Sequence, residues 1–160
     1  MIHPNDELMK ICIETAKKDL KNNQYVLGAM VVDENGDVLS LKNSNLISGY
    51  DPTAHPEIVA IRESAEKRKS RYLEGCYLYS TLEPCPMCTS AVVWAKMAGI
   101  IFGAFQEDAL EFSRNNKSDI LTWRQITITS NEIAVKGTPK IKIYGGVLRS
   151  ECKKLFCLGC

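Results

Sequence analysis

Three residues suited to binding a soft metal and one free carboxylate lie in two short runs, His55-Pro56-Glu57 and Pro84-Cys85-Pro86-Met87-Cys88. One imidazole and two thiolates give zinc three ligands and leave a fourth position open. That is the arrangement of a catalytic zinc, whereas a structural zinc is closed by four ligands. The two thiolates balance the charge of the metal, which in such a site supplies a water acidified toward neutrality. Cys85 and Cys88 are three apart on the first turn of an expected helix, so their sulfurs face one side. The N–H groups of that turn favour the thiolates zinc needs. Glu57, close to His55 but not required as a ligand, is placed to take a proton from the water and deliver it again. The chemistry this predicts is hydrolysis.

Other uses of these residues account for less of the pattern. His55 could simply cap a helix, and Cys85 and Cys88 could be buried thiols or half of a structural zinc site. A four-ligand site would need another donor, and the nearest are Cys157 and Cys160, since the second histidine, His3, sits near the amino terminus. A Cys85–His55 nucleophile pair would leave Cys88 and Glu57 without a task. Cys12 and Cys76 read as small buried apolar residues. Cys152, Cys157 and Cys160 read as free thiols, with a second metal site as the alternative.

The elements that must position these groups follow from the pattern around them. At 160 residues, 45% hydrophobic and 24% charged, the chain suits a single globular domain, 1–160, with its core over about 5–105 and a weaker pattern over 106–160. The net charge of +1 lacks the basic excess of a phosphate-gripping protein. No stretch is apolar and long enough to cross a membrane. The first ten residues carry two acids and no apolar run, so no signal peptide is read there. A Cys-x-x-Cys beside a histidine motif then reads as metal chemistry in a reducing, cytoplasmic setting.

Leu8, Ile11, Cys12, Ala16 and Leu20 at helical spacing predict a first helix after Pro4-Asn5, ending at Asn22-Asn23. Tyr25 to Val32 reads as a buried strand, turning at Asn35-Gly36 into a second over Val38 to Leu41. A polar loop from Asn43 to Thr53 leads to a helix near His55, with Pro56 at its first position. Ile58, Ala60, Ile61 and Ala65 supply its buried side. Cys76 to Leu82 is a strand, Pro84 and Pro86 open a third helix to about Lys96, and Ile100 to Ala104 is a strand. Within Asp119 to Lys140, Ile126 to Thr129 is either a strand or an ordered crossover. Lys140 to Tyr144 reads as a last strand and Val147 to Leu158 as a last helix. The alternation is that of a three-layer α/β fold.

With these motifs in place, the chain resembles the cytidine and deoxycytidylate deaminase superfamily from about Leu8 to Ala104. The pairing of H-x-E with P-C-x-x-C is a known mark of zinc deaminases. Asp51 to Glu57, continuing through Arg62, is similar to the first motif of the branch holding guanine deaminases, tRNA adenosine deaminases and the fungal type of cytosine deaminase. Thr81 to Cys88 is similar to its second motif, and Ile101-Phe102-Gly103-Ala104 to its following strand. Pro56 stands where the family has alanine, and Leu27 where an aromatic residue is common.

The resemblance implies a cytidine-deaminase-like α/β/α fold with a central five-stranded mixed sheet, one zinc per subunit on His55, Cys85 and Cys88, Glu57 as proton shuttle, and a homodimer or larger oligomer. It implies loss of an exocyclic amine as ammonia from a nucleobase or nucleoside. Pro86 and Trp94 are more like guanine deaminases, so guanine to xanthine is the first expectation. Asn43 (or Asn45) would read the purine edge together with the backbone of Ala54. Trp94 would line the base pocket, or else pack in the core or a dimer contact, and Asp119 is the nearest candidate to accept from guanine's amino edge. The alternatives are a tRNA adenosine deaminase, with RNA as partner, a cytosine or cytidine deaminase, and a non-catalytic zinc scaffold.

Overall fold

The computed structural model of the protein describes residues 2–18, 20, 24–44, 50–117 and 122–159. Asn45, Asp119 and Cys160 lie outside them. Its elements are α1 (Asp6–Ala16), β1 (Gly28–Val32), β2 (Val38–Asn43), α2 (Pro56–Arg68), β3 (Tyr77–Leu82), α3 (Pro86–Trp94), β4 (Gly99–Ala104), α4 (Gln106–Asn115), α5 (Ser130–Lys136), β5 (Lys142–Tyr144) and α6 (Arg149–Lys154), then a 3₁₀ turn at Leu155–Gly159. The five strands form one sheet in the order β2-β1-β3-β4-β5. β1 runs antiparallel to β2 and β3, while β3, β4 and β5 are parallel. This is the mixed five-stranded sheet expected from the resemblance.

The strands alternate between two cores, one on each face of the sheet. Met30, Val32, Tyr79 and Ile101 pack with Met9, Cys12 and Ile13 of α1, Ala109 of α4, Cys152 of α6 and Phe156. Their neighbours Val31, Leu78, Ile100 and Phe102 pack with Ala60 and Ile61 of α2, Val92 of α3 and Ala134 of α5. Strand side chains point to opposite faces in turn, so a sheet covered on both sides needs apolar residues at nearly every position. β1 and β4 are buried throughout. Gly103 lets α6 lie close to β4, because a Cβ there would fall 2.1 Å from the Cys152 sulfur.

Several expectations need correction. β1 begins at Gly28 and not at Tyr25, since the Ser44 hydroxyl occupies the preceding backbone, donating to the Tyr25 carbonyl and accepting from Leu27 N–H. β2 runs on to Asn43. Ile11 is 44% exposed, with Met9 and Ile13 filling the core in its place. Of the two readings of Ile126 to Thr129, the crossover is the one found, and it exposes Ile126 and Ile128. Two helices were not expected, α4 and α5. The last helix divides into α6 and the 3₁₀ turn.

Candidate active site

Two helix starts meet at the carboxyl end of β3. His55 is the N-cap of α2 with Pro56 at its first position, and Cys85 is the N-cap of α3 with Pro86 in the same place. Proline suits this position because its missing N–H would have no helical partner. The two amino-terminal dipoles converge on one point and favour negative charge there. His55 Nδ1 lies 3.6 Å from Cys85 Sγ and 3.5 Å from Cys88 Sγ, and the sulfurs are 3.5 Å apart. Zinc bonds of about 2.0–2.3 Å in a tetrahedron place ligand atoms roughly 3.5–3.8 Å from one another, so the triangle fits the metal without rearrangement. Among the described residues this is the one group of three or more such side chains that could hold a metal.

The two thiols are shifted in opposite directions. The Cys85 thiol is drawn down to about 4, first by the hydrogen bond from Cys88 and then by His55, against the opposing effect of burial. The Cys88 thiol is pushed up by the same hydrogen bond and by burial. The His55 imidazole is raised chiefly by its contact with Cys85, with the nearby Arg124 charge working against that.

Glu57 is 4% exposed. Its Oε1 accepts from the Ser80 hydroxyl at 3.0 Å, and its Oε2 lies 3.8 Å from Cys88 Sγ. Burial raises its carboxyl above the usual carboxylate range, partly offset by hydrogen bonding to backbone and Ser80 and by the His55 charge. A carboxyl shifted in this direction holds a proton nearer neutrality, as a group that both accepts and returns one must.

The other expected site residues are not all brought together. Asn43 is fully buried, and its side-chain amide donates to the carbonyls of Thr15 at 2.8 Å and Lys18 at 3.4 Å, closing the carboxyl end of α1. The backbone N–H of Ala54 donates to the Asp51 carbonyl at 3.1 Å. Trp94 is 79% exposed, so it is not in the core of the subunit. It lines a shallow groove with Val93, Ile133 and Gly137.

Three residues beside the site went unassigned in the sequence. Glu83, 3% exposed, accepts from Gln106 N–H at 3.1 Å, Ser130 N–H at 2.8 Å and Ser130 Oγ at 2.9 Å. It thus ties the first turns of α4 and α5 to the strand end that carries Cys85. Ser80 holds Glu57. Arg124 reaches back from the crossover, donating from Nε to Gln106 Oε1 at 3.1 Å and from Nη2 to the Pro84 carbonyl at 3.4 Å. It is presented by Trp123, a buried aromatic residue at φ +52°. A conformation of that kind costs of order 1–3 kcal/mol and persists only where surrounding packing enforces it. Here Tyr25 and Phe156 pack against the indole, and the Tyr25 hydroxyl accepts the N–H groups of Thr122 and Trp123.

The sequence profile of the cytidine and deoxycytidylate deaminase zinc-binding region matches residues 3–104, which include every element of this site up to the end of β4. The chain belongs to that family. It is 37% identical to the tRNA-specific adenosine deaminase of Aquifex aeolicus over 99 residues, 62% of this chain and 65% of the relative. It is also 37% identical to the guanine deaminase of Bacillus subtilis over 84 residues, 52% of this chain and 53% of that one. These two matches therefore span between half and two-thirds of the relatives' own length. A solved guanine deaminase from Nitrosomonas europaea shares the fold with a TM-score of 0.74 at 20% identity, over 98% of this chain and 85% of that chain. A solved tRNA:A34 deaminase superposes with a TM-score of 0.64 at 26% identity, over 94% and 99%.

Proposed function

We propose that this family member is a zinc-dependent hydrolytic deaminase, its whole length forming one domain, that converts guanine to xanthine. Bound at His55, Cys85 and Cys88, zinc would supply an acidified water held for attack on the ring carbon bearing the amine. Replacing that amine also needs a proton on the ring nitrogen during attack and another on the departing nitrogen. Glu57, anchored by Ser80 and lying beside Cys88, is the group that would take the water's two protons in turn, passing the first to the ring nitrogen and the second to the departing amine, which leaves as ammonia. The thiolate ligands require reduced cysteines, in keeping with a cytoplasmic setting.

The observation that carries the choice of a free base over RNA is the state of two of the three basic side chains on α6, Arg149 and Lys153. Arg149 donates from Nε and Nη2 to Asp108, both at 2.9 Å, and Lys153 pairs with the same carboxylate at 3.1 Å. An RNA editor must grip phosphates, and these two half-exposed cations are already paired with a buried acid. The resemblance to tRNA adenosine deaminases keeps editing as the rival reading. The exposed Trp94 and its apolar groove suit burial against a second copy, and we read the working form as a homodimer.

Ammonia release by the zinc-loaded protein, measured on guanine, adenine, cytosine, their nucleosides and a tRNA anticodon stem-loop, tests the proposal. Guanine turnover is expected. Activity confined to the stem-loop would establish the editing reading in its place, and silence on every compound would favour a scaffold.

A further inference from the structure

We propose that Arg124 determines specificity by reading the carbonyl oxygen at position 6 of the purine, a deepening that rests on the guanine reading above. The two hydrogen bonds of the Arg124 guanidinium go to neutral acceptors, Gln106 Oε1 and the carbonyl of Pro84, the residue preceding the ligand Cys85. No carboxylate lies within ion-pair distance of it among the described residues. Of its five N–H donors, three have no partner among those residues.

A half-buried, unneutralised cation is costly to keep unless something complements it. The buried charge of Asp108, by contrast, is neutralised by Arg149 and Lys153. The two anchors also fix the plane of the fork, and Trp123 fixes the backbone behind it. The side chain is thus held against the Pro84 turn, one residue before Cys85. The complement missing among the described residues is, in this proposal, an acceptor that arrives with the substrate.

Guanine presents acceptors at O6 and N7, a pair that a guanidinium fork engages with two hydrogen bonds. Adenine puts an amino donor at position 6, which would oppose the fork. Arg124 is therefore a group that would favour guanine and disfavour adenine at one site.

The test uses three purines that all carry the 2-amino group to be released: guanine, 2-aminopurine, which has hydrogen at position 6, and 2,6-diaminopurine, which has a donor there. For the zinc-loaded full-length protein we expect kcat/KM to be highest for guanine. In Arg124→Met the guanine to 2-aminopurine ratio should fall by about 10–100-fold, the range of one bidentate base contact. Arg124→Lys keeps the charge without the planar fork and should shift the ratio in the same direction. Zinc content and far-ultraviolet circular dichroism, measured on both variants, separate a lost contact from a lost fold. If all three purines lose activity in equal proportion, Arg124 only braces the Pro84 turn and the inference is wrong while the guanine reading stands. If the unmodified protein does not turn over guanine at all, both fail together.

Discussion

Replacing Glu83 with alanine would show whether the metal site depends on a clamp some distance along the chain. The carboxylate accepts from two backbone N–H groups, at Gln106 and Ser130, and from the Ser130 hydroxyl, in a setting where it is 3% exposed. The hydroxyl can rotate to another partner, but the two backbone donors cannot. Leaving a buried donor unpaired costs about 1–3 kcal/mol, so the pair together should cost roughly 2–6 kcal/mol. For a chain of this size that corresponds to a fall in Tm of about 5–20 °C. Glu83→Gln keeps one acceptor oxygen but turns an amide donor toward the other N–H, and should lose about half as much. The same clamp sits two residues before Cys85, so zinc affinity should weaken by about 10–100-fold, the usual range for groups that orient metal ligands. Thermal unfolding of the metal-free protein and zinc competition against a chelator measure the two effects separately. A Tm within about 2 °C of the unmodified protein, together with unchanged zinc affinity, would refute the clamp.

Two further outcomes are expected. Glu57→Gln keeps the hydrogen bond from Ser80 and should retain zinc by metal analysis while turnover falls by about 10²–10⁴-fold; turnover at the unmodified rate would show that the proton is carried elsewhere. Burial alone would raise the Asp108 carboxyl, but Arg149, the Phe105 N–H and Lys153 outweigh it and bring it from 3.8 to about 2. Its folded value is thus the lower one, so its stabilisation is present above 3.8 and lost as pH falls toward about 2. With solvent screening allowed for, this amounts to about 1–2 kcal/mol. Asp108→Asn should therefore lower Tm near neutrality, and the gap should close as pH falls through that window. A gap independent of pH would mean the pair acts through packing and not through charge.

The residues of the metal site were legible because their chemistry is local. Cys85 and Cys88 are three apart, Glu57 is two from His55, and each proline marks the helix start that aims its neighbour. α5 was also legible in principle, since Thr129 and Glu132 form a capping box, a four-residue signal that precedes a helix. α4 was harder to read, because its N-cap is Phe105, a residue type that does not announce a helix start. Asn43 shows the opposite difficulty. Its type suits a purine edge, yet only the tertiary structure shows its amide turned to the carbonyls of α1.

By itself, then, the sequence determined the candidate ligand set, the carboxylate beside it and the burial of the strands, since spacing and side-chain type are properties of short segments. Only the tertiary structure decided that Glu83 joins helix starts 23 and 47 residues away, that Arg124 returns from the crossover to the Pro84 turn, and that Asp108 holds Arg149 and Lys153 of α6. Those contacts depend on where chain segments meet after the sheet has formed. A buried polar group takes whichever partner the packing brings within reach, and nothing in its own neighbourhood along the chain encodes that partner.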